Sequence, residues 1–343
     1  RRRSKRFSLG AFGGAEALVS APLLRPPSGC RGAGPRGECD DHATLPRRPE
    51  PESRSGGNLD KVEPAVAGLV LLAALMHASW NAVIKSDPDR LASFGLVMMA
   101  GCLFGLVAAP FVPLPAPEAW PYLIASVIIH VFYYVFLLRA YAHGDLSLVY
   151  PIARGLGPTL VALISGAVVG EYLEFREAVG VSLVSVGIAG LAFGRGLPDF
   201  SERRAIALAV CTGFTIAAYT VVDGLGARAS GNAFSYIVWL NLLEGPWVFV
   251  FAAWKRGPLI FDYMRKYWWR GSAGGIVATI GYGIAIWAAS LGAIAHVSAL
   301  RETSVLFAAL MGTFLLGEKF GAMRVVAAAI MVMGLLAMNF RLV

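Results

Sequence analysis

Charge is scarce in this chain: 15% of its 343 residues are Asp, Glu, Lys or Arg, against 57% hydrophobic residues, where a soluble domain carries about 25% charged residues. Cysteine is scarce too. Cys30 and Cys39 lie near the start and Cys102 and Cys211 in apolar stretches, so the four read as small hydrophobes rather than a metal site, and no metal or cofactor is expected. Long polar connections are missing after residue 61, which leaves no room for a soluble catalytic domain. The net charge of +8 divides as +4 over residues 1–63 and +4 over the remainder. That implies no nucleic-acid partner; in a lipid bilayer such an excess encodes orientation.

What the chain has is apolar runs, with a mean hydropathy of +0.62. They fall at about 64–84, 91–113, 119–141, 146–168, 176–194, 205–223, 233–254, 272–293, 297–316 and 321–340. Each is near the twenty residues that a helix needs to cross about 30 Å of hydrocarbon. The expected fold is therefore an all-α integral membrane protein of ten transmembrane helices. Residues 1–61, rich in Arg, Pro, Gly and Ser, show no apolar periodicity and read as a disordered tail or as sequence upstream of a start at Val62.

Residues 138–171 can be laid on 285–318 at a constant offset of 147, which sets Arg154 on Arg301 and Gly170-Glu171 on Gly317-Glu318; Gly187 likewise falls on Gly334. An intramembrane arginine and a helix-ending Gly-Glu in one register indicate two copies of a five-helix unit, residues 62–195 and 196–343. Five is odd, so the second copy enters the membrane from the opposite side. Such inverted repeats place a site at mid-membrane between the halves.

Basic residues bias the connections to one side. Lys85, Arg90, Arg139, Arg195, Arg203, Arg204, Lys255, Arg256, Arg265, Lys266, Arg270, Lys319 and Arg324 border odd-numbered connections, against Lys61, Arg176, Arg228 and Arg341 on the other side, joined by Arg47, Arg48 and Arg54 if the tail belongs. By the positive-inside rule both termini are extracytoplasmic. The segment KRGPLIFDYMRKYWWRG, 255–271, reads as an interfacial connection.

A charged side chain at mid-bilayer costs about 2.5–3.5 kcal/mol on insertion scales. Arg154 and Arg301 either face a wet cavity and bind an anion, which guanidinium grips bidentately, or pair with an acid such as Glu302. Gly155, Gly157 and Pro158 follow Arg154; proline removes a backbone donor and glycine weakens a helix, so a hinge or break is expected there. His77, Trp80 and Asn81 near the end of the first segment, Tyr133 in the third and Thr303 in the ninth are further substrate-binding candidates. Glu302, Glu244 and His130 are candidates for coupling to protons.

The run HASWNAVIK at 77–85 and the two segments closing in Gly-Glu, within ten helices in two halves, resemble the drug/metabolite transporter superfamily, in its EamA-type branch. The resemblance covers about residues 64–340. It implies secondary transport of small metabolites across the cytoplasmic membrane, with helices 1, 3, 4, 6, 8 and 9 around a central cavity and helices 5 and 10 peripheral. Two departures stand out: helix 6 carries AAYTVVDG where helix 1 has HASWNAVIK, and many relatives have cytoplasmic termini. The expected function is an exporter or exchanger of an anionic or zwitterionic metabolite by alternating access, not an enzyme. Its partners are the substrate, the bilayer and a candidate coupling proton, and a monomer suffices. Two rivals remain. DGLGAR at 223–228 looks like the opening of a CDP-alcohol phosphotransferase motif, though no further aspartate follows through Leu243; the other is a non-transporting membrane subunit.

Overall fold

The computed structural model describes residues 63–85, 87–193, 199–316 and 322–339. Residues 1–61, Gly317-Glu318 and the basic residues Arg195, Lys319 and Arg341 lie outside them. The described residues are helical, with no strand: α1 (Pro64–Lys85), α2 (Arg90–Ala108), α3 (Trp120–His143), α4 (Leu146–Val169), α5 (Phe175–Gly190), α6 (Arg203–Ala229), α7 (Ala233–Arg256), α8 (Leu259–Leu291), α9 (Ile294–Arg301), α10 (Thr303–Leu316) and α11 (Ala322–Asn339). Among the described residues nine helical stretches are long and apolar enough to cross a membrane, and Ala322–Met338 is a shorter apolar helix. Leu106, Val107, Leu163 and Val186 stand on the outer surface, each more than half exposed. Side chains of this kind suit lipid, where backbone polar groups must be satisfied inside each helix.

The ends of the helices follow local chemistry. Asp89 caps α2 by accepting from the Ala92 amide at 3.0 Å and pairs with Arg256 at the end of α7, Nε to Oδ2 at 2.7 Å. Burial pushes the Asp89 carboxyl up, but the Ala92 amide and the Arg256 guanidinium outweigh it and hold the group below its ordinary value. Gly170, at φ 77°, ends α4 in the left-handed conformation that glycine adopts without steric cost. Glu174 and Glu177 form a reciprocal capping box at the start of α5.

Helices pair along their lengths as α2 with α7, α5 with α11, α3 with α6 and α1 with α8, while α4 packs on α5, α6 and α9. Small residues permit the tightest of these. A Cβ on Gly187 would meet Met331 Cγ at 2.8 Å and the Ala327 carbonyl at 3.0 Å, so α5 and α11 meet backbone to side chain. One buried apolar cluster joins Val70 of α1, Val161 of α4, Ala217 and Val221 of α6, Ala288 of α8 and Ile294 and Val297 of α9.

Four expectations need correction. The helix α4 runs without interruption through Pro151 and Pro158. Gly155 is there for packing, since a Cβ would lie 2.7 Å from the Ala189 amide nitrogen of α5, and Gly157 meets only Ile216 at an ordinary 3.6 Å. The interruption falls in the ninth segment instead, at Glu302 between α9 and α10. Residues 259–271, expected as a connection, form the first turns of α8, because nothing after Pro258 stops a helix; only Gly257 and Pro258 join α7 to α8. Finally, α6 continues to Ala229, past the expected end of the sixth run at residue 223, so Asp223 to Gly226 are helical. Replacing Gly187 with leucine should overpack the α5–α11 contact and cost about 1–3 kcal/mol. Thermal unfolding of the detergent-solubilised protein should show a lowered midpoint; an unchanged midpoint would mean these helices can move apart freely.

Candidate functional site

The polar residues of the interior meet where α3, α4, α6, α8 and the α9–α10 junction converge. Arg154 lies eight residues into α4, about 12 Å along its axis. It is 7% exposed and its Nη2 contacts Glu302 Oε1 at 2.9 Å and Ser304 Oγ at 3.4 Å. The broken helix makes this pair possible: Thr303 Oγ1 donates to the Leu300 carbonyl at 2.7 Å and the Glu302 amide donates to the Ala299 carbonyl at 3.2 Å, which ties the junction while the Glu302 side chain is free to reach Arg154. Arg154 Nε and Glu302 Oε2 are buried without a hydrogen-bond partner among the described residues. Both atoms are available to a ligand or water that enters.

Arg301 is placed otherwise. Its guanidinium lies 5.1 Å from the centroid of the Tyr282 ring, a cation–π arrangement, and it makes no ion pair or hydrogen bond among the described residues. The two arginines that the repeat sets in register thus differ: one carries a counter-ion and one does not.

Aromatic rings wall the space beside them. The His130 ring stacks on Tyr219 at 4.1 Å, and Tyr133 and Tyr282 each meet Tyr219 edge-on. Beneath the rings lie two acids. Asp223 of α6, 1% exposed, accepts from Tyr236 Oη at 2.9 Å and from the Tyr282 hydroxyl. Glu244 of α7 accepts from Tyr134 Oη at 2.6 Å and faces His130 Nε2 at 3.8 Å. Tyr282 therefore touches both Arg301 and Asp223, the positive and negative sides of the cluster.

At the end of the bundle where α4 stops, Glu171 pairs with Arg228 of α6 and accepts from the Ile294 amide that opens α9 at 3.1 Å. Arg228 also donates to the carbonyls of Ala289 and Gly292 at the end of α8, at 2.9 and 2.7 Å. One ion pair thus serves the end of one helix and the start of the next, as their dipoles favour. A second acid of that region, Glu177, lies 3.7 Å from His296 Nε2 of α9.

The residues singled out from sequence divide into two groups. Arg154, Arg301, Glu302, Tyr133, His130 and Glu244 gather in or beside the central cluster. His77 of α1 lies within electrostatic reach of Arg154 and Arg301, whereas Trp80, Asn81 and Thr303 make the local contacts that follow. Trp80 packs between His77 and Phe94, Asn81 Nδ2 donates to the His77 carbonyl of its own helix at 2.7 Å, and Thr303 caps the α9–α10 junction. Sequence reasoning missed Asp223 as an interior acid, Tyr219 and Tyr282 as its wall, and the Glu171–Arg228 pair. The signal was present for Asp223, a charged residue inside an apolar helix, a position that is functional by default.

A helical bundle with lipid-suited outer faces and an interior of paired charges under tyrosines is that of a multi-pass membrane protein. The EamA-like transporter family matches the chain twice, over residues 65–193 and 203–340, and the chain belongs to that family. A solved structure, titled only as the crystal structure of a protein, is similar to it in fold, with a TM-score of 0.60 at 16% identity over 80% of this chain and 94% of that one. No curated protein matches the sequence.

Removing one member of a buried ion pair strands the other charge, at a cost of about 3–5 kcal/mol, whereas replacing both by apolar residues is often neutral. Arg154→Met alone should therefore lower the unfolding midpoint far more than Arg154→Met with Glu302→Leu. Equal losses in thermal unfolding would mean that the two charges are not coupled.

Proposed function

We propose that this chain is a secondary transporter, an exporter or exchanger, that moves a small anionic or zwitterionic metabolite across the cytoplasmic membrane by alternating access. Membership of the EamA-like family supports the transporter class. The observation that carries the substrate class is Arg301: a half-buried guanidinium with no ion pair among the described residues, set against the ring of Tyr282. An arriving carboxylate or phosphonate would give it the partner it lacks. Asp223 and Glu244, on the far side of the same tyrosines, offer an amino group its counter-charge.

The architecture we infer is ten spans in two inverted five-helix repeats, residues 62–195 and 196–343. Support comes from the double family match and from helix pairs that exchange under such a relation: α1 with α8 answers α3 with α6, while α2 with α7, α5 with α11 and α4 with α9 are self-related. The basic end, with Arg90, Arg203, Arg204, Lys255 and Arg256, is then cytoplasmic and both termini extracytoplasmic. Glu302, paired with Arg154, and Glu244 with His130 are the groups through which protons would couple. One chain holds both halves, so a monomer suffices.

Losing a charge-assisted hydrogen bond costs about 1.5–3 kcal/mol, so Arg301→Ala should cut flux of the transported anion in proteoliposomes by roughly 10- to 100-fold, with Arg301→Lys intermediate because it keeps charge without the planar fork. Wild-type flux from a folded Arg301→Ala protein would remove Arg301 from the substrate site.

A further inference from the structure

A cleft lies apart from the central cluster, between the last turns of α1 and the middle of α8. It is lined by Ser79, Trp80, Val83, Trp269, Arg270, Ala273, Gly274 and Val277 and has a volume of about 360 Å³, within the usual range for small-ligand pockets of about 300–1,000 Å³. Its depth follows from the length of α8. The 21 residues from Gly271 to Leu291 rise about 31 Å, one hydrocarbon thickness. Arg270, Trp269 and Trp268 therefore sit at headgroup level on the basic end, and residues 259–267 run out beyond the hydrocarbon. The tryptophans are 56% and 63% exposed, as amphipathic rings at that level are.

Arg270 lies over the rings of Trp269 and Tyr267 at 5.2 and 5.6 Å, and no acid or carbonyl engages it among the described residues. Below it the wall turns apolar, through Ala273 and Val277 on α8 and Val83 on α1. The cleft is thus cationic at headgroup depth and greasy toward the membrane centre, the polarity of a lipid anion with its chain.

We propose that this cleft binds one anionic phospholipid from the leaflet at the basic end, its phosphate on Arg270 and an acyl chain along Val83 and Val277. Two further basic groups, Lys266 over Tyr267 at 5.2 Å and Lys255 over Trp254 at 4.4 Å, extend the positive field along the same collar. Arg256 does not contribute freely, since Asp89 holds it. The rear wall of the cleft is Trp80, which stacks on Phe94, which in turn meets Tyr134 of the central cluster at 5.5 Å.

Native mass spectrometry of the full chain, released from detergent with equimolar phosphatidylglycerol and phosphatidylcholine, tests this. The wild type should retain phosphatidylglycerol in preference. Arg270→Gln should weaken that retention about fivefold, the equivalent of about 1 kcal/mol for one basic residue at an anionic surface. Arg270→Lys should restore most of it, which separates loss of charge from misfolding. Ala273→Trp, which fills the cleft and leaves every basic residue in place, should abolish the preference. Equal retention of the two lipids by the wild type, or unchanged preference in both Arg270→Gln and Ala273→Trp, would overturn the proposal. Displacement of phosphatidylglycerol by millimolar inorganic phosphate would overturn it too, by assigning Arg270 to a soluble anion.

Discussion

Hydrocarbon does not tolerate an uncompensated charge, and the interior of this protein is arranged around that constraint. Arg154 on α4 and Glu302 at the α9–α10 junction neutralise each other across the two halves of the chain. For them to meet, α4 must stay whole and close to α5, and the ninth segment must break. Gly155 provides the first by letting α4 approach the Ala189 backbone, and Thr303 supports the second by bonding the Leu300 carbonyl that the break releases. Neither helix would make sense without the other.

The same constraint gives the remaining charges their places. Glu171 and Arg228 are joined near one end of the bundle, where they also take up the last carbonyls of α8 and the first amide of α9. Asp223 is enclosed by the hydroxyls of Tyr236 and Tyr282, and Glu244 by Tyr134 with His130 alongside. Each of these charges is met by its surroundings; Arg301, offered only the face of Tyr282, is not. A charge left incomplete next to aromatic surface has the chemistry expected of a binding group, weak enough in the empty protein to gain from a ligand. Our reading of substrate class rests on that contrast between two arginines in equivalent sequence positions.

Much of the fold was legible because lipid imposes one rule on every span: about twenty apolar residues without a break. The apolar runs, Arg154, Arg301 and Glu302 and the family resemblance all followed from that rule and from one repeated register. What the sequence hid depended on contacts between distant segments. Pro158 and its neighbouring glycines look like a broken helix until Ala189 is seen against Gly155. The charged, aromatic run 259–271 looks like a loop by hydropathy, yet nothing in it opposes helix, and α8 extends through it. Asp223 was read with its following glycines as the opening of a phosphotransferase-like motif, whereas in the fold it meets Tyr282, 59 residues later. Trp80 was legible as an unusual residue but not as part of a cleft between α1 and α8, since only packing brings Trp269 and Arg270 to it.

A transported anion has two arginines to choose between, and the one it occupies separates their roles. An experimental structure of the protein saturated with such an anion should show the ligand's oxygens on Arg301, beside Tyr282, with the Arg154–Glu302 pair still closed. Density for the anion on Arg154, with Glu302 displaced from it and Arg301 untouched, would contradict the assignment of roles to the two arginines.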